Sequence, residues 1–192
     1  MQYSIYTLLT RFGDTINGMR VTVVGPSSGG KSTLTRKISQ HFNIPRLEMD
    51  RLWFEAGGHE CFVHGCTEEE KQLVQDKIRQ RVTSFLKEND SWVVDGTYSK
   101  IQPAIAEEAD NVVLIRRSLV KRIFSHLSRI IKGKDRHPET GLWQDVMFTK
   151  AIIRRWQQGE QAKLDEVLLP YQNKLITLRS FEEIDRYFNS LV

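Results

Sequence analysis

Residues 25–32 read Gly25-Pro26-Ser27-Ser28-Gly29-Gly30-Lys31-Ser32. The string satisfies G-x-x-x-x-G-K-[ST] at every position, and each residue type has a chemical reason. Glycines let the backbone curl until successive N–H groups converge on one point, which favours an anion. A helix that starts at Lys31 adds its positive N-terminal end. The Lys31 ammonium can reach β- and γ-phosphates, and the Ser32 hydroxyl can ligate Mg²⁺. Gly25, Pro26, Ser27, Ser28, Gly29, Gly30, Lys31, Ser32 and Thr33 are therefore the expected contacts of a nucleoside triphosphate, with ATP and Mg²⁺ as cofactors. The competing reading is a glycine-rich turn that happens to match. The apolar run before the string and the helical spacing after it argue against that.

Such a loop needs an acidic partner for the metal's water shell. Asp95 ends the apolar run Trp92-Val93-Val94 and precedes Gly96. That places a carboxylate where a strand ends and where open α/β sheets bind ligands. Its plain alternative is a turn-forming Asp-Gly pair. Asp50 closes a second short run and faces the acceptor side. It could orient or deprotonate an acceptor hydroxyl, or simply cap a helix.

Between 116 and 136 lie Arg116, Arg117, Lys121, Arg122, Arg129, Lys132, Lys134 and Arg136, with Asp135 the one acid among them. Phosphoryl transfer spreads negative charge over the moving group, and a positioned arginine is worth about 10³–10⁵ in rate. Arg122 and Arg129, seven apart on a helix, share a face, so both are candidates for catalysis beside Lys31 and Asp50. The segment 117–145 reads as a helical lid with a polar loop at Gly133 to Gly141. The alternatives are a solvated basic face or a nucleic-acid surface. The latter is disfavoured because no aromatic stacking platform interleaves the arginines. Arg154-Arg155-Trp156 is a weaker candidate for approaching the phosphates.

His59, Cys61, His64 and Cys66 put four soft-metal ligands close together, but too compressed for a familiar zinc site. The two cysteines make no disulfide framework, although a single bridge stays open. Trp53, Phe54 and Phe62 can stack on a base, line an apolar pocket or pack in the core.

These groups need a scaffold, and an alternation of strands and helices supplies it. Strands are expected at Met19–Val24, Arg46–Asp50, Ser91–Asp95, Asn111–Ile115 and Lys174–Leu178. Helices are expected at Lys31–Phe42, at Thr67–Lys87 with a Thr67/Glu70 capping box, at Ser118–Lys132, and after Ser180. Leu73, Ile78, Val82 and Phe85 are the expected buried face of the second. Leu52–Cys66 reads as irregular. The pattern implies a parallel sheet covered on both faces, an α/β fold in three layers. Residues 1–18 stand outside it as an extension of the 19–192 domain.

Composition agrees with such a domain. The 192 residues are 40% hydrophobic and 27% charged, with a net charge of +4. That mild excess suits a polyanionic ligand without requiring nucleic acid. No membrane span and no secretion leader are read, so a cytoplasmic location is expected.

Gly25–Ser32, Met49-Asp50-Arg51-Leu52-Trp53, Ser91-Trp92-Val93-Val94-Asp95-Gly96-Thr97-Tyr98-Ser99 and Leu178-Arg179-Ser180 together resemble the adenylate-kinase-like P-loop NTPases, within them the DNA topology modulation (FlaR-type) group. The resemblance covers Met19 to the C-terminus. It implies a five-stranded parallel sheet in the order 2-3-1-4-5, an acceptor-side insertion at about 51–90 and a lid after strand four. It makes Lys31 and Ser32 the ATP and Mg²⁺ residues and Asp95 the Walker B-type acid. Adenylate kinases carry an Asp-Gly-Phe-Pro-Arg-like run after strand three. Here Asp95-Gly96-Thr97-Tyr98-Ser99-Lys100 lacks that arginine, so the acceptor need not be AMP.

The expected function is a small-molecule kinase that moves the ATP γ-phosphate to an unidentified hydroxyl acceptor. The alternative is an ATP-binding regulatory or DNA-associated protein with weak or no kinase activity. A GTPase switch is disfavoured, since neither a D-x-x-G at the third strand nor an N-K-x-D motif is present.

Overall fold

The computed structural model describes residues 18–98, 100–132 and 142–192, the side chains at 62, 63, 129, 131–132 and 142–148 excepted. Five strands, β1 (Arg20–Val24), β2 (Arg46–Glu48), β3 (Trp92–Asp95), β4 (Asn111–Ile115) and β5 (Leu175–Leu178), form one sheet in the order β2-β3-β1-β4-β5. Every pairing is parallel. The chain runs from β1 to one edge, returns through β3, and then crosses to β4. The carboxyl end of β1 is thus the point where the direction of winding reverses, and a crevice opens there.

The period-two alternation of the strands sorts their side chains into two cores. Val21, Val23, Val93, Val113 and Ile115 point to one face and pack with Leu34 and Ile38 of α1 (Lys31–Phe42) and Ile184 and Tyr187 of the C-terminal helix. Val24, Trp92, Val94, Val112 and Leu114 point to the other. The helices α2 (Met49–Glu55), α3 (Gly58–His64), α4 (Glu68–Glu88) and α5 (Gln102–Glu108) follow in chain order. Members of α2, α4 and α5 cover this second face, through Met49, Leu52, Ile78, Val82 and Ile105. Beyond β4 come α6 (Leu119–Lys132), α7 (Leu142–Gln157), α8 (Glu160–Leu168) and α9 (Phe181–Leu191). The result is the expected three-layer α/β/α arrangement.

Both expected caps are present. Thr67 and Glu70 exchange the two bonds of a capping box at the start of α4. The Ser180 hydroxyl accepts the Glu183 N–H at the start of α9.

Three expectations need correction. Leu52–Cys66 is not irregular but carries the end of α2 and all of α3, Gly58–His64, because Gly57 takes a left-handed conformation (φ 93°) and lets the chain restart a second short helix. Asp50 does not end β2; it lies in the first turn of α2, since β2 stops at Glu48. Leu73 is 56% exposed, and Val74 takes the place expected of it against the core. The helices α5 and α8 were not anticipated, and α7 is the helix that carries Arg154, Arg155 and Trp156. Residues 1–17 of the expected extension, and the lid loop with Lys134 and Arg136, lie outside the described residues.

Candidate functional site at the carboxyl end of β1

The loop after β1 is shaped by three departures from ordinary backbone. Gly25 has φ 138°, and a Cβ there would run into the Ile115 carbonyl of β4. Gly30, the N-cap of α1, has φ 110° and lies under Phe181. Ser28 holds φ 60° although it carries a side chain, a conformation that costs roughly 1–3 kcal/mol and clusters at ligand sites. Its hydroxyl is buried with no hydrogen-bond partner. A closely packed, left-handed loop with an unsatisfied buried donor at a helix N-terminus is the shape that a phosphate chain satisfies.

Thr97 clamps the start of the loop. Its Oγ1 accepts the Gly25 N–H at 3.0 Å and donates to the Gly25 carbonyl at 3.2 Å. One residue earlier, Gly96 N–H donates to Val23 O, and Gly96 lies so close to Met49 that a Cβ would stand 2.7 Å from the Met49 Cβ. Strand three therefore ties the Gly25–Ser32 loop to the start of α2.

The Lys31 ammonium donates to the Pro26 carbonyl across the loop at 3.1 Å. Burial pushes its pKa below the ordinary 10.5. The carboxylates of Asp95, Asp50 and Glu160 pull the other way, and Arg122 adds to the depression. All four groups therefore lie within electrostatic reach of this amine. Ser32 and Thr33 are exposed at the first turn of α1.

Asp95 is 5% exposed and lies level with Val23 and Glu48 in the sheet. Its Oδ2 accepts from Thr35 Oγ1 at 3.3 Å and from Arg46 Nη2 at 3.4 Å, both long and weak contacts. Thr35 is one turn beyond Ser32, so a metal held by the Ser32 hydroxyl and phosphate oxygens would have this carboxylate behind it. The donor set, a hydroxyl with a carboxylate in its second shell, suits Mg²⁺.

Two arginines converge on Ser27. Arg122 is fully buried; its Nε donates to the Ser27 carbonyl at 3.0 Å and its Nη2 to Glu160 at 3.2 Å, while Nη1 has no partner. Burial lowers its pKa against the opposing pull of Glu160. Arg155 Nη1 donates to Ser27 Oγ at 3.3 Å. Arg117 spreads its guanidinium 3.9 Å from the centre of the Phe181 ring, with Nη1 on Ser125 Oγ. Arg116 pairs instead with Asp165.

Of the residues singled out in the sequence, the fold brings together Gly25–Thr33, Asp95, Arg122, Arg155 and, at electrostatic range, Asp50. Asp50 is exposed, and its charge also helps to raise the Tyr98 pKa, after burial and against Arg155. Arg129 is on α6, with its side chain outside the described residues, as is that of Phe62. Thr35, Arg46, Thr97 and Glu160 were missed. For Thr97 a signal existed, its position two residues after the strand-ending acid; the others come from sequence-distant segments.

Next to this edge, α2, α3, α4 and Tyr98 border a cavity of about 240 Å³, open on one side, that Trp53 and Cys61 help to line. Phe54 points elsewhere, 55% exposed and stacked on His59. Cys61 is joined to Cys66 in a disulfide, so neither sulfur is a thiolate ligand for a metal. No helix among the described residues is long and apolar enough to cross a membrane.

No family model and no curated protein matches the chain. Solved structures do. TT1252 from Thermus thermophilus superposes with a TM-score of 0.56 at 13% identity, covering 91% of this chain and 96% of that one. A shikimate kinase from Bacteroides thetaiotaomicron gives 0.53 at 16%, over 90% and 96%. A gluconokinase from Sinorhizobium meliloti gives 0.52 at 15%, over 91% and 89%. At such identities the likeness is one of fold: this chain shares with these structures a five-stranded parallel sheet with helices on both sides.

Proposed function

We propose that the chain is an ATP-dependent phosphotransferase acting on a small hydroxyl compound, of the adenylate-kinase-like kind and related to the FlaR-type group. The observation that carries this reading is the meeting, at one sheet edge, of a strained phosphate loop with an unsatisfied Ser28 hydroxyl and of Arg122, whose Nη1 is a buried donor without a partner. Both are what a triphosphate supplies acceptors for.

In this reading the loop amides and Lys31 hold the β- and γ-phosphates. Ser32, backed by Asp95, would hold Mg²⁺, which neutralises charge on the phosphate oxygens. Asp50 receives the proton of the acceptor hydroxyl as its oxygen attacks the γ-phosphorus. The bond between that phosphorus and the β–γ bridging oxygen breaks, and ADP leaves. Arg122 and Arg155 stabilise charge that grows on the transferred group, and Arg129 is the further lid candidate. The segment 51–90 is the acceptor side and 117–145 the lid.

The test is an acceptor screen with γ-labelled ATP, run beside Lys31→Ala. Acceptor-dependent ADP release that the variant loses supports the kinase. ATP binding with no acceptor response, together with DNA binding that falls steeply with salt, supports a regulatory protein instead.

A further inference from the structure

The cavity beside the phosphate loop has walls of an uncommon kind. Trp53 and Tyr98 supply aromatic surface, and Val74 and Ile78 of α4 supply aliphatic surface. The Trp53 ring lies directly against Gly58: any Cβ at residue 58 would occupy ring atoms. That glycine therefore sets how far the indole lies back and so how wide the cavity is. The polar lining residues are Lys71 and Gln75. Lys71 is engaged by Glu68, and the Gln75 carbonyl accepts from Lys100. The Gln75 amide then offers its N–H₂ group as a donor. Among the described residues no arginine lines the space, and the one cation there, Lys71, is already paired with Glu68, so the lining offers no bidentate recognition of a phosphate or carboxylate.

Size and position narrow the occupant. An apolar cavity of roughly 150 Å³ holds benzene, so about 240 Å³ takes a larger planar ring system. Asp50 and Trp53 are three residues apart on α2 and share its face. Tyr98 directly follows Thr97, which grips Gly25 of the phosphate loop. A ring seated against Trp53 and Tyr98 thus has a carboxylate one helical turn away, on the side of the phosphates.

From this geometry we infer that the cavity binds the acceptor, and that the acceptor is a neutral planar heterocycle with ring-nitrogen or carbonyl acceptor atoms and a pendant hydroxyl, rather than a monophosphate or a sugar acid. The inference rests on the kinase reading for the direction in which the hydroxyl points. Binding itself does not require it. The mainly apolar walls, with Lys71 already held by Glu68, leave a charged acceptor without a free partner, and burying an unpaired anion is costly, while a ring gains stacking area on Trp53 and a hydrogen bond at Gln75. The neighbouring folds named for shikimate and gluconate kinases would then differ from this chain in their acceptor.

The experiment is calorimetric titration of the full chain, saturated with a non-hydrolysable Mg-ATP analogue, with adenosine, guanosine, cytidine and uridine, and in parallel with AMP, gluconate and shikimate. At least one nucleoside is expected to bind ten-fold or more tightly than any of the three anions. Val74→Trp, which fills the cavity, is expected to weaken that nucleoside at least ten-fold and to leave analogue binding within two-fold. Gln75→Leu, a milder change at the rim, should weaken it several-fold. Tighter binding of an anion overturns the inference, and so does binding of no nucleoside, or a nucleoside affinity that neither variant changes. Failure of the kinase reading would look different: the nucleoside binds and responds to the variants, but no phosphate is transferred to it from ATP.

Discussion

Replacing Arg122 with methionine removes a guanidinium from a place with no solvent contact and keeps much of the apolar stem. Two bonds disappear, one to the Ser27 carbonyl and one to Glu160. Hydrogen bonds to a charged group contribute about 1.5–3 kcal/mol each. Glu160 is one-quarter exposed, so water replaces part of its loss and that bond counts at the low end. Removing a desolvated charge with an unpartnered Nη1 returns some of the cost. The net loss of stability should be about 1–3 kcal/mol, and at ~2–4 °C per kcal/mol for a chain of this size the melting point falls by roughly 2–12 °C. The loss in phosphoryl transfer should be far larger, about 10³-fold or more, because the guanidinium also meets charge that grows in the transition state, through the Nη1 that the fold leaves without a partner. Thermal melts by circular dichroism, and single-turnover transfer from γ-labelled ATP at a temperature where the variant is folded, separate the two. Arg122→Lys, which keeps the charge without the planar fork, should fall between. A folded Arg122→Met that transfers phosphate within ten-fold of the parent rate would refute the reasoning.

Gly25→Ala places a methyl against the Ile115 carbonyl at a φ of 138°; the loop should shift, with Mg-ATP affinity lost by calorimetry and a melting point lowered by at least ~2 °C. The depressed Lys31 pKa sets a pH dependence: phosphates restore the ordinary protonation, so binding is tightest where the amine is protonated in both states. Affinity should fall as pH rises through the free-state pKa, in a window below 10.5, with proton uptake visible as a buffer-dependent binding heat; a flat profile up to 10.5 contradicts it. Reducing the Cys61–Cys66 bridge releases a short closed loop worth at most about 2 kcal/mol in chain entropy. Amide hydrogen exchange should quicken in α3 and stay unchanged in β1, and uniform quickening would contradict that local role.

The conformation of the loop was legible because its motif is written in consecutive residues, Gly25 to Ser32, between two elements with clear periodicity. Asp95 was legible for a related reason: a carboxylate that closes a buried apolar strand comes out at the sheet edge where ligands bind. Glu160 and Arg155 were not, or only faintly, because Arg155 of α7 reaches Ser27 across more than a hundred residues, and Glu160 of α8 enters only through Arg122 of another helix. The helices α2 and α3 escaped because seven residues make two turns, too few for a periodic signal against the interruption at Gly57-Gly58. Gly58 itself reads as a breaker in sequence; in the fold it is the floor under the Trp53 ring. Leu73 and Val74 show the limit of a helical pattern: adjacent apolar residues leave the phase ambiguous by one position, and packing against the core around Trp92 and Ile78 decides it.

The most direct measurement is calorimetric titration of the purified chain with Mg-ATP, beside Lys31→Ala. Saturable binding at one site per chain, weakened at least ten-fold in the variant, is the predicted result. The absence of binding heat at millimolar Mg-ATP, or equal affinity in parent and variant, would contradict a phosphate site at the carboxyl end of β1.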